Sequence, residues 1–187
     1  GRKEDKLGAR GVPSSAIFFE DVLIPEENRL VPEGEGFKIV MEALNKARPV
    51  IAARGVGLAQ GAIDHAQAFI SERRAFGQAV KDFQGVRWIL ADMQIQTEAA
   101  RGLVYKAASN VDAGLGGNDL AIQAAIAKCH ATDTAMQVAT DAVQLFGASG
   151  ISNEYPINRY FRDAKVLQVV EGTNQIQRNI ISRIMLR

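Results

Sequence analysis

Hydrophobic residues recur at intervals of three and four along most of the chain from residue 34 onwards. This spacing places apolar side chains on one face of an α-helix. Pro49 interrupts the first run and predicts either a kink or the start of a new helix. Later runs predict helices over about residues 83–112 and 119–145, after Pro156 and after Thr173. Long helices with one apolar face pack as antiparallel bundles, so we expect an all-α fold of the four-helix-bundle type.

The pattern before residue 34 is different. The stretch AIFFEDVLIP, residues 16–25, is rich in β-branched and aromatic residues and ends at a proline, which predicts a strand. A lone strand is not stable by itself. We therefore expect residues 1–33 to be the tail of a β domain whose other strands lie upstream, and residues 34–187 to form the helical-bundle domain. The chain would then be the C-terminal part of a longer protein.

Composition excludes several classes of function. The chain has 187 residues, of which 47% are hydrophobic and 23% charged, and its net charge is +1. We therefore expect no nucleic-acid partner, and no apolar run approaches the roughly 20 residues that span a bilayer. Cys129 is the only cysteine, which excludes an internal disulfide and fits a reducing compartment. It is expected to be a small buried side chain, and His65 and His130 lack the spacing of a metal site.

One glycine-rich stretch superficially resembles the fingerprint of dinucleotide-binding proteins. It is GVGLAQG, Gly55 to Gly61. The spacing of its glycines is off by one residue, and it lies inside a helical pattern rather than after a strand. We therefore interpret it as part of a helix and not as a nucleotide site.

Three short stretches combine polar residues with helix ends, and each has two interpretations. In ERRAFGQAVKDFQ, the arginine pair that begins at Arg73 suits phosphate oxygens, but it also fits an ordinary exposed turn. In DAVQLFGASG, Gln144 and the glycines could admit a planar ligand close to the backbone, or Gly147 could simply end a helix. In NKARP, the charges beside Pro49 indicate either a functional position or a solvated face.

A fourth stretch, VLQVVEGTNQIQ, ends an apolar run on a carboxylate. Glu171 stands directly before Gly172, and Thr173 is a candidate N-cap for the last helix. Apolar surroundings disfavour the charged form of a carboxylate, which suits a general base that accepts a proton near neutral pH. A surface glutamate stabilised by the dipole at a helix start explains the stretch equally well.

Taken in order, RRAFG…DFQ, QLFGASG, EYPINRYFRDAK and VVEGTNQIQR closely resemble the C-terminal half of the acyl-CoA dehydrogenase family. FEDVLIPEENRLVPEGEGFKIVMEAL resembles the family's crossing from its middle β domain to its C-terminal helical domain. The resemblance implies a flavoprotein with FAD as cofactor and acyl-CoA as substrate. It also implies an electron-transferring flavoprotein as electron acceptor, assembly as a homotetramer, and a location in the bacterial cytoplasm or the mitochondrial matrix.

The resemblance also assigns roles residue by residue. Glu171 matches the base that removes the substrate α-proton, Gly172 adjoins the thioester, and Arg48 matches an arginine near the catalytic end of the substrate channel. The residues that match FAD contacts are Arg73, Phe76, Gln84, Gln144, Gly147, Thr173 and Gln175. Arg73 and Gln84 match residues that reach the FAD of a neighbouring subunit.

Two positions depart from the pattern of many family members. Ala148 stands where a second glycine is common, and Val170 stands where medium- and short-chain members have tyrosine. The sequence therefore leaves the acyl chain length open. It also leaves open a flavin oxidase of the same fold, or a non-catalytic helical module that serves assembly.

Overall fold

The computed structural model describes residues 1–187, and five α-helices dominate it. The helices are α1 (Gly36–Glu72), α2 (Gln84–Asp112), α3 (Gly117–Phe146), α4 (Ile157–Val169) and α5 (Asn174–Met185). A small antiparallel hairpin, β1 (Arg74–Ala75) and β2 (Gln78–Ala79), joins α1 to α2. The predicted all-α fold is confirmed. No helix combines the length and the apolar character that crossing a bilayer requires.

Helix α3 lies at the centre of the bundle and packs against the four other α-helices. Its buried face is mostly alanine, which lets the neighbouring backbones come close. A Cβ atom placed on Gly55 of α1 would lie only 2.9 Å from the carbonyl oxygen of Ala131 in α3. Gly55 therefore serves helix packing. The GVGLAQG stretch lies wholly within α1, which confirms its interpretation as part of a helix.

The largest apolar cluster joins the C-terminal halves of α1 and α3 to α2 and α4. Its bulkiest buried members are Ile63, Ile70, Met93, Val138, Phe146 and Ile157. Phe69 of α1 stacks on Phe146 of α3, with ring centroids 4.1 Å apart. The C-terminal ends of α1 and α3 and the start of α2 therefore meet at one end of the bundle.

Helix α1 runs through Pro49 without a break, so the start of a new helix at this position is wrong. A proline inside a helix removes one hydrogen bond and destabilises an isolated helix. Here Arg48, Pro49, Ile51 and Ala52 are all buried, and packing of this turn against the bundle outweighs that loss. The solvated-face interpretation of NKARP is also wrong at Arg48, which is 3% exposed.

The strand predicted over residues 16–25 is wrong. This segment contains no strand, and its apolar side chains, among them Phe18 and Leu23, are largely exposed. A strand needs a neighbour to pair its backbone groups, and the only bridge nearby is a single pair between Lys3 and Ser15. The β-branched composition therefore indicates a preference for extended backbone, but no other part of the chain pairs with this segment as a neighbouring strand.

The segment just before it docks on α4. The backbone N–H of Ala9 donates to Oδ1 of Asp163 at 2.7 Å. A Cβ atom on Gly8 would clash with the carbonyl oxygen of Arg162, so only glycine fits at this contact. The docked segment forms one wall of the cleft described next.

Candidate active site

Glu171 lies in the connection between α4 and α5 and lines a cleft of about 650 Å³. Part of the cleft wall is apolar: it is formed by side chains of α1, of α4 and of its C-cap, which are Ile51, Leu58, Val166, Leu167 and Val170. The rest is formed by the docked N-terminal segment and by charged side chains, which are Lys6, Arg10, Arg54, Arg159, Arg162 and Asp163. Oε2 of Glu171 is buried and has no hydrogen-bond partner. A buried, unpaired carboxylate oxygen is an uncommon and costly arrangement.

The backbone of the Glu171–Gly172 turn is held by hydrogen bonds from buried side chains of other elements. Both residues have positive φ, +57° at Glu171 and +88° at Gly172. The carbonyl oxygen of Glu171 accepts from Nε of Arg48 at 3.5 Å and from Nε2 of Gln177 at 3.3 Å. The carbonyl oxygen of Gly172 accepts from Nε2 of Gln177 and from Nζ of Lys128, both at 2.9 Å. We call Arg48, Lys128 and Gln177 the donor clamp.

Two members of the donor clamp are buried cations. Lys128 is fully buried, and this burial lowers its pKa to about 8, although nearby acidic groups such as Asp133 and Glu171 oppose the shift. Burial also lowers the pKa of Arg48, and the Glu171 carboxylate partly offsets that effect. The site therefore places two desolvated positive charges beneath one half-buried carboxylate.

The Lys128 ammonium is part of a wider network that ties α4 and α5 to α3. Its Nζ also donates to Oδ1 of Asn174 at 2.8 Å and to the carbonyl oxygen of Gln168 at 3.3 Å. Asn174 donates to Asp133, which pairs with Arg178 at 2.7 Å. Burial alone would raise the pKa of Asp133, but hydrogen bonds from Arg178, Asn174 and Gln168 outweigh it and lower that pKa.

Thr173 is the N-cap of α5, as predicted. Its Oγ1 accepts the backbone N–H of Ile176 at 3.3 Å. The N–H groups of Asn174 and Gln175 have no backbone acceptor and face the start of the helix. Thr173 and Gln175 line a recess of about 330 Å³ with Lys165, Arg178 and Asp133, and Asp133 pairs with Arg178. The free amides, the Thr173 hydroxyl and the Lys165 ammonium are donors that fit the polar oxygens of a nucleotide cofactor.

The remaining candidate residues lie at the other end of the bundle. Arg73 caps the C-terminus of α1, Phe76 stands at the hairpin tip with 96% exposure, and Gln84 is the first residue of α2. Gln144 is exposed in the last turn of α3, and Gly147 ends that helix with φ +59°. Along α3, Gln144 lies about 24 Å from Lys128 at about 1.5 Å per residue. The structure thus brings Arg48, Glu171, Gly172, Thr173 and Gln175 together and separates them from the other five.

Sequence reasoning missed Lys128, Asn174 and Gln177. All three are buried, at 0%, 3% and 0% exposure. Lys128 had a detectable signal, because it occupies the apolar face of α3 among buried alanines, and a cation there must be paired. Cys129, the next residue, is a small buried side chain as expected.

Comparison with known proteins shows the family to which the chain belongs. Residues 34–186 match the family model described as acyl-CoA dehydrogenase, C-terminal domain. A probable acyl-CoA dehydrogenase of Mycobacterium tuberculosis is 46% identical over the whole chain, which covers 48% of that relative. The structure of butyryl-CoA dehydrogenase from Megasphaera elsdenii superposes with a TM-score of 0.97 at 44% identity, covering 100% of this chain and 48% of that one.

A further solved structure, described as electron transferring flavoprotein of Acidaminococcus fermentans, has a TM-score of 0.96 at 45% identity. The superposition covers 100% of this chain and 48% of that one. The chain belongs to the acyl-CoA dehydrogenase family and carries the family's C-terminal domain. It spans about half the length of these relatives.

Proposed function

We propose that the chain is part of an enzyme that dehydrogenates an acyl-CoA thioester between its α- and β-carbons, with Glu171 as the base. The observation that carries this proposal is the buried, unpartnered Oε2 of Glu171 beside the cleft. A carboxylate in that position can receive a proton from a substrate without first breaking a hydrogen bond. Family membership supports the same assignment.

The residues around Glu171 have distinct roles in this proposal. The thioester α-proton is a weak acid, so its removal needs a positioned base and stabilisation of the charge that develops on the thioester oxygen. The Glu171 carboxylate takes the proton, and the backbone N–H of Glu171 donates to the thioester oxygen. Apolar Ile51, Leu58 and Leu167 contact the acyl chain and exclude water. Arg48 and Gly172 shape the substrate channel at its catalytic end.

FAD is the proposed cofactor, and the donor groups at two places of the chain fit it. When bound, FAD supplies the acceptor for the hydride that leaves the β-carbon. Thr173 and Gln175 would hold it beside Glu171. At the other end, the exposed Arg73 guanidinium makes no ion pair in the chain, and the N-terminal amides of α2 begin at Gln84. Such groups suit a diphosphate.

The distance between the two sets supports a homo-oligomer. In the proposed assembly, a homotetramer, one copy offers Glu171, Thr173 and Gln175 to a flavin. A neighbouring copy offers the residues of the far end, which are Arg73, Phe76, Gln84, Gln144 and Gly147. The name of the A. fermentans relative supports an electron-transferring flavoprotein as the partner that accepts electrons from the reduced cofactor.

The test is a single turnover of the FAD-loaded holoenzyme that contains this chain. It is mixed without oxygen with butyryl-CoA and a series of longer and branched acyl-CoA thioesters, while the absorbance of oxidised flavin is followed. We expect at least one thioester to bleach the flavin, and the series then assigns the acyl chain length. Retention of full flavin absorbance with every thioester would contradict the proposed function.

A further inference from the structure

Glu171 adopts a backbone conformation that its side chain disfavours. A non-glycine residue at φ +57° is strained and persists only where the surroundings hold it. The connection between α4 and α5 is short, and Glu171 itself has no intrahelical partner that would impose this geometry. The restraint must come from contacts made by other elements.

The contacts come from the donor clamp, and its hydrogen bonds to the Glu171–Gly172 turn all go to backbone carbonyls. Lys128 and Gln177 place donors on the Gly172 carbonyl, and Gln177 also reaches the Glu171 carbonyl. Lys128 additionally holds the Gln168 carbonyl in the last turn of α4. These hydrogen bonds therefore hold the chain on both sides of Glu171, a residue that lines the cleft, and leave Oε2 of its carboxylate without a hydrogen bond.

Burial restricts the hydrogen bonds of Lys128 and Gln177 to partners within the protein. Lys128 and Gln177 are both 0% exposed, so neither can exchange its protein acceptors for bulk water. A buried ammonium is retained only where good acceptors surround it, and here the acceptors are the carbonyls that flank the candidate base and the Asn174 side chain. A Cβ atom on Gly172 would lie 2.8 Å from Nε2 of Gln177, which shows how closely the side chain contacts the turn.

We propose that Lys128 and Gln177 are positioning residues that aim the Glu171 carboxylate into the cleft by fixing the Glu171–Gly172 backbone. The proposal rests on the proposed role of Glu171 as base. Neither side chain touches substrate or cofactor. Each acts through the backbone of the turn, so its loss displaces the base without removing it.

The first test is Lys128→Met in the holoenzyme, which keeps the length of the side chain and removes its donors. We expect the rate of flavin reduction at saturating acyl-CoA to fall about 10- to 100-fold, because a displacement of about 1 Å in a reacting group has effects of this size. The Kd for acyl-CoA and the FAD content should stay within about twofold, since binding groups are untouched. Gln177→Met should act in the same direction.

Thr97→Val is the matched control. Thr97 is fully buried in α2, and its Oγ1 donates to the Met93 carbonyl, away from Glu171. This variant loses a buried hydrogen bond and should reduce thermal stability while leaving the rate of flavin reduction unchanged. It separates a loss of stability from a loss of positioning.

A second readout does not depend on catalysis. Amide hydrogen exchange should rise in peptides covering residues 166–177 in Lys128→Met and in Gln177→Met, with little change in α2. If exchange in this segment is faster in the two variants but the wild-type protein dehydrogenates no thioester, the structural role of the clamp is supported and only the proposed function is refuted. Unchanged exchange in this segment, an unchanged rate of flavin reduction, or failure of both variants to fold while Thr97→Val folds would overturn the positioning role.

Discussion

Around Glu171, buried donors from α1, α3 and α5 bind the backbone carbonyls of the turn within the chain, and Oε2 of Glu171 is left without a hydrogen-bond partner. At the opposite end of the bundle, the polar side chains of Arg73 at the end of α1 and Gln84 at the start of α2 are exposed, as is the apolar ring of Phe76 at the hairpin tip. The contacts of the first region are therefore made within one chain, whereas the exposed groups of the second are available to bind another molecule. Substitutions in the first region should change the rate of flavin reduction. Substitutions in the second should change the affinity for FAD.

The largest effect is expected for Glu171→Gln. The amide has nearly the same shape, but it cannot take the α-proton, so flavin reduction by acyl-CoA should slow by about 10²–10⁴-fold. FAD content and acyl-CoA binding should be retained. The measurement is anaerobic stopped-flow absorbance of the oxidised flavin. Bleaching at the wild-type rate would mean that Glu171 is only a carboxylate at a helix start.

Glu171→Asp is the useful companion variant. It keeps the carboxylate but withdraws it by one methylene from the cleft. We expect an intermediate rate of flavin reduction if distance from the α-carbon matters. A rate for Glu171→Asp equal to that of Glu171→Gln would point to a strict geometric requirement, consistent with a rigid clamp.

The next effect concerns the pH dependence of stability. Burial lowers the pKa of Lys128 in the folded protein to about 8, from an ordinary lysine value of 10.5. Between these values the unfolded chain binds a proton that the folded chain does not, so rising pH stabilises the wild type relative to Lys128→Met. The whole shift corresponds to a gain on the order of 3 kcal/mol. Unfolding by guanidinium at pH 7.5 and pH 10 should measure it.

The neighbouring thiol must be removed for this comparison. Burial, reinforced by Asp133, raises the pKa of Cys129, and its titration would oppose that of Lys128 in the same pH range. Both proteins should therefore carry Cys129→Ala. Equal slopes of stability against pH in the two proteins would show that Lys128 titrates as it does in the unfolded chain.

At the far end, Arg73→Gln should weaken FAD binding. Hydrogen bonds to charged groups contribute about 1.5–3 kcal/mol, which corresponds to roughly a 10- to 100-fold higher Kd for FAD. The rate of flavin reduction in the FAD-saturated protein should stay unchanged, in contrast to every clamp variant. Arg74→Gln is the matched control, because Arg74 is the adjacent arginine and donates to the Gly77 carbonyl within the hairpin. Equal losses of FAD affinity in both variants would argue against a specific contact.

The same contrast explains what the sequence could predict. Local patterns were sufficient for the long helices and for the cap at Thr173, because periodicity and capping act within a few residues. They failed over residues 16–25, where a strand depends on neighbours, and at Pro49, where tertiary packing outweighs a local preference. The donor clamp brings together Arg48, Lys128 and Gln177 from three helices. No local sequence pattern predicts contacts between residues so far apart in the chain.

The smallest effect is expected for Thr173, which caps a helix and is also a proposed FAD contact. Thr173→Ala removes the acceptor for the Ile176 N–H and should lower the free energy of unfolding by about 1 kcal/mol. Thr173→Ser keeps the hydroxyl and should restore most of that stability. If Thr173 also contacts FAD, the alanine variant should lose FAD affinity as well, and the serine variant should recover both properties. Denaturant midpoints of the FAD-free protein and FAD titrations separate the cap from the cofactor contact. Loss of stability in the serine variant equal to that in the alanine variant would show that the methyl group, and not the cap, stabilises this turn.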